Sequence, residues 1–177
     1  MLRCDSEWQC SGLRHLLSLY GISLVVCAEG EALTGSYWGD AEAGIACVDD
    51  RLVLFLCADT PVHSVLHEAA HVVCMTADRR AVLFQDAGGD FAEENAVCYL
   101  QILWADLLPG TNRDQLMQDM DTWGYSFRLG STRQWFEGDA DDARLWLLER
   151  KMISAAGEPT GRLNEFTEAI SVDQRAA

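Results

Sequence analysis

The sequence is short of basic residues: 13 Lys and Arg stand against 28 Asp and Glu, leaving a formal charge of −15 and a pI near 4.4. Binding a phosphate backbone needs clustered cations, so direct nucleic-acid contact is disfavoured, as is attraction to an anionic membrane. No apolar run reaches the roughly 20 residues of a bilayer span. The opening Met1-Leu2-Arg3-Cys4-Asp5-Ser6-Glu7 has no basic stretch leading into an apolar core, so no secretory signal is expected. There is no CxxC pair. The seven cysteines (Cys4, Cys10, Cys27, Cys47, Cys57, Cys74, Cys98) are an odd set and sit mostly in apolar segments, where a thiol behaves as a small hydrophobe. A disulfide framework or a cysteine-based zinc site is therefore not expected, and the reducing cytoplasm is the natural compartment. Repeats and low-complexity stretches are missing too.

What is present is the composition of a globular protein, 49% apolar with six Trp and six Phe in 177 residues. That length suits one domain. The pattern predicts a first helix over Ser6–Tyr20 with Leu13, Leu16, Leu17 and Tyr20 on one face, stopped by Gly21. Three β-prone runs follow, Ile22–Cys27, Ile45–Val48 and Leu52–Cys57, with a turn at Asp49-Asp50-Arg51 and a weaker strand around Ser36–Trp38. Thr60-Pro61 supplies an N-cap and a first-position proline for a helix reaching Met75. After a β-like piece at Ala81–Phe84 and the Gly88-Gly89 break, a helix capped by Asp90 runs to Leu107. Arg113–Trp123, Thr132–Phe136 and Asp139–Met152 are helical. The fold class read from this order is α+β: a small antiparallel or mixed sheet packed on the second helix, then a helical C-terminal part. One domain is expected over residues 1–156, with a partly flexible extension over 157–177.

The second helix carries the chemistry. His67-Glu68-Ala69-Ala70-His71 is an HExxH motif, which composition alone would produce by chance in roughly six of a thousand such chains. Residues four apart lie one turn apart on one face, so both imidazoles can address one metal ion. Glu68 can then stand beside the metal's open position as a general base. The neighbours from Val65 to Val73 are uncharged and apolar. Burying two His and a Glu among them is expensive unless something satisfies them, and a metal does so directly.

Zinc needs a third protein ligand. Ala77 occupies the place where HExxHxxGxxH proteases have their third histidine. The next helix offers Glu93, 22 positions after His71, with the small Ala96 one turn on to let the helices approach. Glu94 is the alternative, facing about 100° away around the helix. Glu93 is the favoured ligand. His63, one turn before His67, is a spare ligand, a substrate contact or a polar group at the helix start. Asp86 and Asp90 read as loop and cap. Tyr125, Arg128 and Arg133 are the groups available to stabilise an oxyanion, Tyr125 being the one selected as catalytic beside Glu68. Tyr99 reads as core. The six tryptophans read as core and cleft material.

These features together resemble the ImmA/IrrE-type family of small zinc metallopeptidases. The likeness spans about residues 6–108. It rests on the N-terminal helix, Leu33-Thr34-Gly35 and Ile45-Ala46-Cys47-Val48-Asp49 in the sheet, the His67–His71 helix, and Glu93-Glu94-Asn95-Ala96 opening the next one. The family's third-ligand motif is ExxAN; Glu93 and Ala96 match it, and Val97 replaces the Asn. The resemblance implies a zincin-like fold, one Zn²⁺ held by His67, His71 and Glu93, and hydrolysis of a specific protein such as a helix-turn-helix repressor. A strand within residues 34–48 would pair with the extended substrate. The rival expectation is a regulatory or protein-binding module that keeps the scaffold and the metal without turnover. A structural zinc would need a fourth protein ligand, with His63 or Glu94 moving in.

Overall fold

The computed structural model describes residues 1–4, 7–28, 43–85 and 87–166. Helix α1 (Glu7–Ser18) buries Leu13, Leu16 and Leu17, and Tyr20 just beyond it. Its expected start at Ser6 lies outside the described residues. Gly12 costs the helix about 1 kcal/mol of propensity, and packing explains its presence. A Cβ there would meet Pro109 Cδ at 2.7 Å, so the glycine lets the chain beyond the fourth helix close onto α1.

Strands β1 (Ile22–Val26), β2 (Gly44–Val48) and β3 (Arg51–Leu56) form one sheet in the order β1-β3-β2. β2 and β3 are an antiparallel hairpin. Its turn residues Asp49 and Asp50 have φ of 49° and 59°, the left-handed pair that matches strand twist and that Asp tolerates. β1 runs parallel to β3 with Ile22 opposite Leu52, so the sheet is mixed rather than antiparallel. Parallel pairing is made across a long connection and leaves no local signature in the strands themselves. The strand expected at Ser36–Trp38 lies outside the described residues.

The edge of β2 proposed for substrate pairing is taken. Cys47 N–H donates to Leu83 O (2.8 Å) and Gln85 N–H donates to Ile45 O (3.3 Å). The 34–42 part of that expectation lies outside the described residues. The β-like piece at Ala81–Phe84 reduces to a single bridge between Phe84 and Ala46.

Helix α2 (Val62–Cys74) carries the HExxH motif. Its N-cap is Pro61; the Thr60 hydroxyl instead accepts from Cys57 N–H (2.9 Å), tying the helix start to the end of β3. A short helix not foreseen in the sequence, α3 (Ala77–Ala81), follows. α4 (Phe91–Ala105), α5 (Arg113–Trp123), α6 (Thr132–Gly138) and α7 (Asp141–Glu149) complete the fold. Among the described residues the architecture is thus α+β, with seven helices and a three-stranded mixed sheet. No described helix is long and apolar enough to cross a membrane.

α2 lies between the sheet and α4, and its Val65, Leu66, Val72 and Val73 join Ile45, Leu54, Leu56, Val97 and Leu100 in the core. α2 and α4 pack on one another, and Ala69, Ala70 and Ala96 on these two helices are fully buried. On the far side of α4, the Trp104 indole N–H donates to Tyr20 OH (3.0 Å) and fastens α4 to the end of α1.

The last carbonyls of a helix have no partner inside it. In α2 two buried side chains meet that need. Arg80 donates to Val72 O (3.2 Å), to Met75 O and to Asn164 O (2.8 Å). Asn164 donates its backbone N–H to Val73 O (2.9 Å) and its amide to Cys74 O (2.6 Å). The guanidinium also complements the negative end of the helix dipole. Asn164 falls in the segment expected to lie past the domain, yet it is 2% exposed and completes the site-bearing helix. We predict that Asn164→Ala costs about 1–3 kcal/mol in urea unfolding, because it strands a buried carbonyl without a donor.

Candidate metal centre

The one-turn spacing of His67 and His71 brings their Nε2 atoms to 3.2 Å, with ring centroids 4.7 Å apart and the rings perpendicular. The acid that joins them is Glu94. Its Oε1 lies 3.5 Å from His67 Nε2 and its Oε2 lies 3.3 Å from His71 Nε2. Four ligands at zinc's bond lengths of about 2.0–2.1 Å stand about 3.4 Å apart along the edges of a tetrahedron. All three observed separations fall around that value.

Glu93, the expected third ligand, is turned elsewhere. Its Oε2 accepts from Arg79 Nη1 at 2.7 Å, and Arg79 also donates to Ala87 O. Asp90 caps α4 by accepting from Glu93 N–H (2.8 Å). Gly89, at φ 125°, is the close approach this knot requires, since a Cβ there would stand 2.9 Å from Glu93 Oε1. The sequence argument for Glu93 took no account of Arg79 because α3 was not foreseen. Once α3 aims Arg79 at Glu93, the next residue faces the imidazoles. One turn further along α4, Cys98 brings its Sγ to 3.8 Å from Glu94 Oε1. Donor atoms of His67, Glu94 and Cys98 lie within 4.8 Å of one another, a grouping able to hold a metal ion. Cys98 was read from sequence as a core hydrophobe; its spacing of four from Glu94, the same as His67 to His71, was the available signal.

Burial, with the neighbouring rings of His71 and His63 as smaller contributors, holds the His67 pKa well below the ordinary histidine range. The ring is thus neutral, as a metal ligand must be. Burial also raises the carboxyl of Glu94, and the nearby Glu93 adds to that. The residues fit a cation on a further count: His67 Nδ1 and the fully buried Gln101 Oε1 each lack a hydrogen-bond partner. The Gln101 amide is nevertheless near enough to favour the protonated ring of His67. A metal-bound imidazole places its proton on the distal nitrogen and points it at such a carbonyl.

Tyr125 reaches the site by way of a helix ending. Gly124 stops α5 at φ 109°, with Gly124 N–H donating to Asp121 O (3.2 Å) and Tyr125 N–H to Met120 O (3.1 Å), a Schellman motif. The chain reverses, and the Tyr125 ring lies 5.7 Å edge-on from both His63 and His67. Burial first, then the neighbouring Cys98, Glu94 and Glu68, raise its pKa, so the phenol keeps its proton. Arg128 is paired with Asp139, and Arg133 with Asp114 (2.7 Å) and Glu137 (3.2 Å), so neither expected alternative turns to the imidazoles. Asp90 is a cap, Asp86 lies outside the described residues, and Tyr99 stacks on Phe136 (4.6 Å).

Tyr125 stands between two cavities. One, of about 410 Å³, is lined by Glu68, His67, His63, Ser64 and Trp123. The other, of about 430 Å³, runs past Glu94 and Cys98 to Phe91, Phe127 and Trp135. His63 is 1% exposed, neither ring nitrogen has a hydrogen-bond partner, and burial lowers its pKa to about 4.

In the unfolded chain His63 takes up a proton near pH 6.5, whereas in the fold it resists until about pH 4. Native stability is therefore lost as pH falls through this window, by up to about 3 kcal/mol from this group. His63→Phe should flatten the loss between pH 7 and pH 4 by that order, read by urea unfolding of both proteins across the range. No family model matches the chain, and neither a curated protein nor a solved structure is found to be similar to it.

Proposed function

We propose that this protein is a zinc-dependent peptidase acting on a specific protein substrate. The reading is carried by one observation: the two imidazoles of an HExxH helix and a carboxylate from the adjoining helix converge at separations of 3.2, 3.3 and 3.5 Å. His67, His71 and Glu94 are the ligands in this reading, and Glu93 is not. A bound zinc ion supplies Lewis acidity towards a peptide carbonyl and acidifies water.

The remaining work belongs to the chain. Glu68, directly after the first histidine and facing the 410 Å³ cavity, takes the proton of the attacking water and delivers it to the departing amine. Tyr125, kept protonated by burial, donates its O–H to the oxyanion that develops on the carbonyl. Its position between the two cavities gives an extended polypeptide room on either side of the scissile bond. The resemblance in sequence to ImmA/IrrE-type peptidases supports this reading through the motif, the sheet preceding it and the acid on the following helix, within an α+β architecture that such a zincin-like fold would share. A transcriptional repressor is the substrate class that resemblance implies. The net charge of −15 agrees with a protein rather than a nucleic acid as the partner.

Metal analysis of purified protein tests the ligand set. Wild type and Glu93→Gln should carry one zinc per chain, while His67→Ala and Glu94→Ala should lose it. Glu68→Gln should retain zinc and hold an uncleaved substrate in pull-downs; a captured partner that wild type does not cut would leave the protein a binding module. On a cleaved substrate, Tyr125→Phe should lower kcat by about 10²-fold or more with little change in KM.

A further inference from the structure

We infer that Cys98 supplies a fourth ligand to the metal and closes the centre to water in the resting protein. The inference rests on the metal-centre reading above and concerns the position that reading leaves open. Two helices each contribute a pair of donors one turn apart, His67 and His71 from α2, Glu94 and Cys98 from α4. Cys98 is 4% exposed and its Sγ lies 3.8 Å from Glu94 Oε1. A sulfur at about 2.3 Å and an oxygen at about 2.0 Å from a tetrahedral zinc stand about 3.5 Å apart. Donor atoms of His67, Glu94 and Cys98 lie within 4.8 Å of one another, so the thiol stands within reach of an ion held by the other two.

A second observation is independent of the thiol. His67 Nδ1 is buried without a hydrogen-bond partner, and it is the ring nitrogen that carries the proton once Nε2 binds a metal. With Cys98 bound, all four tetrahedral positions belong to protein atoms, as in structural zinc sites. Glu68 then has no water to activate. Withdrawal of the thiol from the metal frees one position and converts a closed centre into an open one. Cys98 thus separates metal retention from catalytic competence.

Cobalt substitution reads this directly. The full-length protein is stripped with a chelator and reloaded with Co²⁺. Wild type should show a thiolate-to-cobalt charge-transfer band in the near ultraviolet. Cys98→Ala should lose that band while holding stoichiometric cobalt through His67, His71 and Glu94; Cys74→Ala, a second buried thiol, should keep it. Stoichiometric cobalt without the band in wild type, or a band surviving in Cys98→Ala, overturns the role of Cys98 and leaves the three-ligand centre standing. No cobalt uptake overturns both. Should Cys98→Ala fail to fold, alkylation of wild type decides: cobalt must slow iodoacetamide labelling of Cys98, mapped by peptide mass, and equal rates with and without cobalt reject the assignment.

Discussion

Everything at the centre depends on how closely α2 and α4 lie together. Side chains from two helices share a point only when the backbones approach, and α2 and α4 are packed directly on one another. The rest of the fold reinforces the contact from outside. The sheet presses on one face of α2, the Trp104–Tyr20 hydrogen bond holds α4 from behind, and the capped carbonyls of α2 fix its lower end. Close packing makes such an arrangement stiff, so the donor atoms that meet there are held in fixed relation to one another.

The angular setting of α4 is decided by electrostatics away from the centre. Two acids stand side by side at the helix start, and only one can face the imidazoles. Arg79 takes Glu93, so Glu94 faces them. The half-buried ion pair is thus a positioning device: it selects which neighbour meets the imidazoles. Its own contribution to stability is a separate matter, since burying both charges carries a desolvation cost.

Much of this was legible in the chain. The HExxH spacing, the cap at Asp90 and the helix over Arg113–Trp123 are local signals, and local signals survive folding. Tyr125 stood out with Arg128 and Arg133 because no histidine follows the motif, and of the three it is the one whose ring lies beside His63 and His67. The misses share a cause, which is contact between residues distant in sequence. The parallel pairing of β1 with β3 is made across a connection of unrelated residues, and Thr60 is drawn to Cys57 rather than to its helix. Glu93 is paired with an arginine on a helix of five residues, too short for periodicity to report, so its orientation away from the imidazoles could not be read from spacing. The closeness of Cys98 to Glu94 follows from the setting of α4 and is not legible in the apolar segment that holds the cysteine.

The cap on α2 has a consequence for how the molecule comes into being. Asn164 binds the carbonyl of Cys74 across ninety positions of chain, and Arg80 reaches the same Asn164 backbone. During synthesis, at about 5–20 residues per second, the motif-bearing helix leaves the ribosome several seconds before the residue that finishes its end. Until then its terminal carbonyls are answered by solvent. A nascent chain therefore carries an unfinished centre, and one late asparagine marks the moment of its completion.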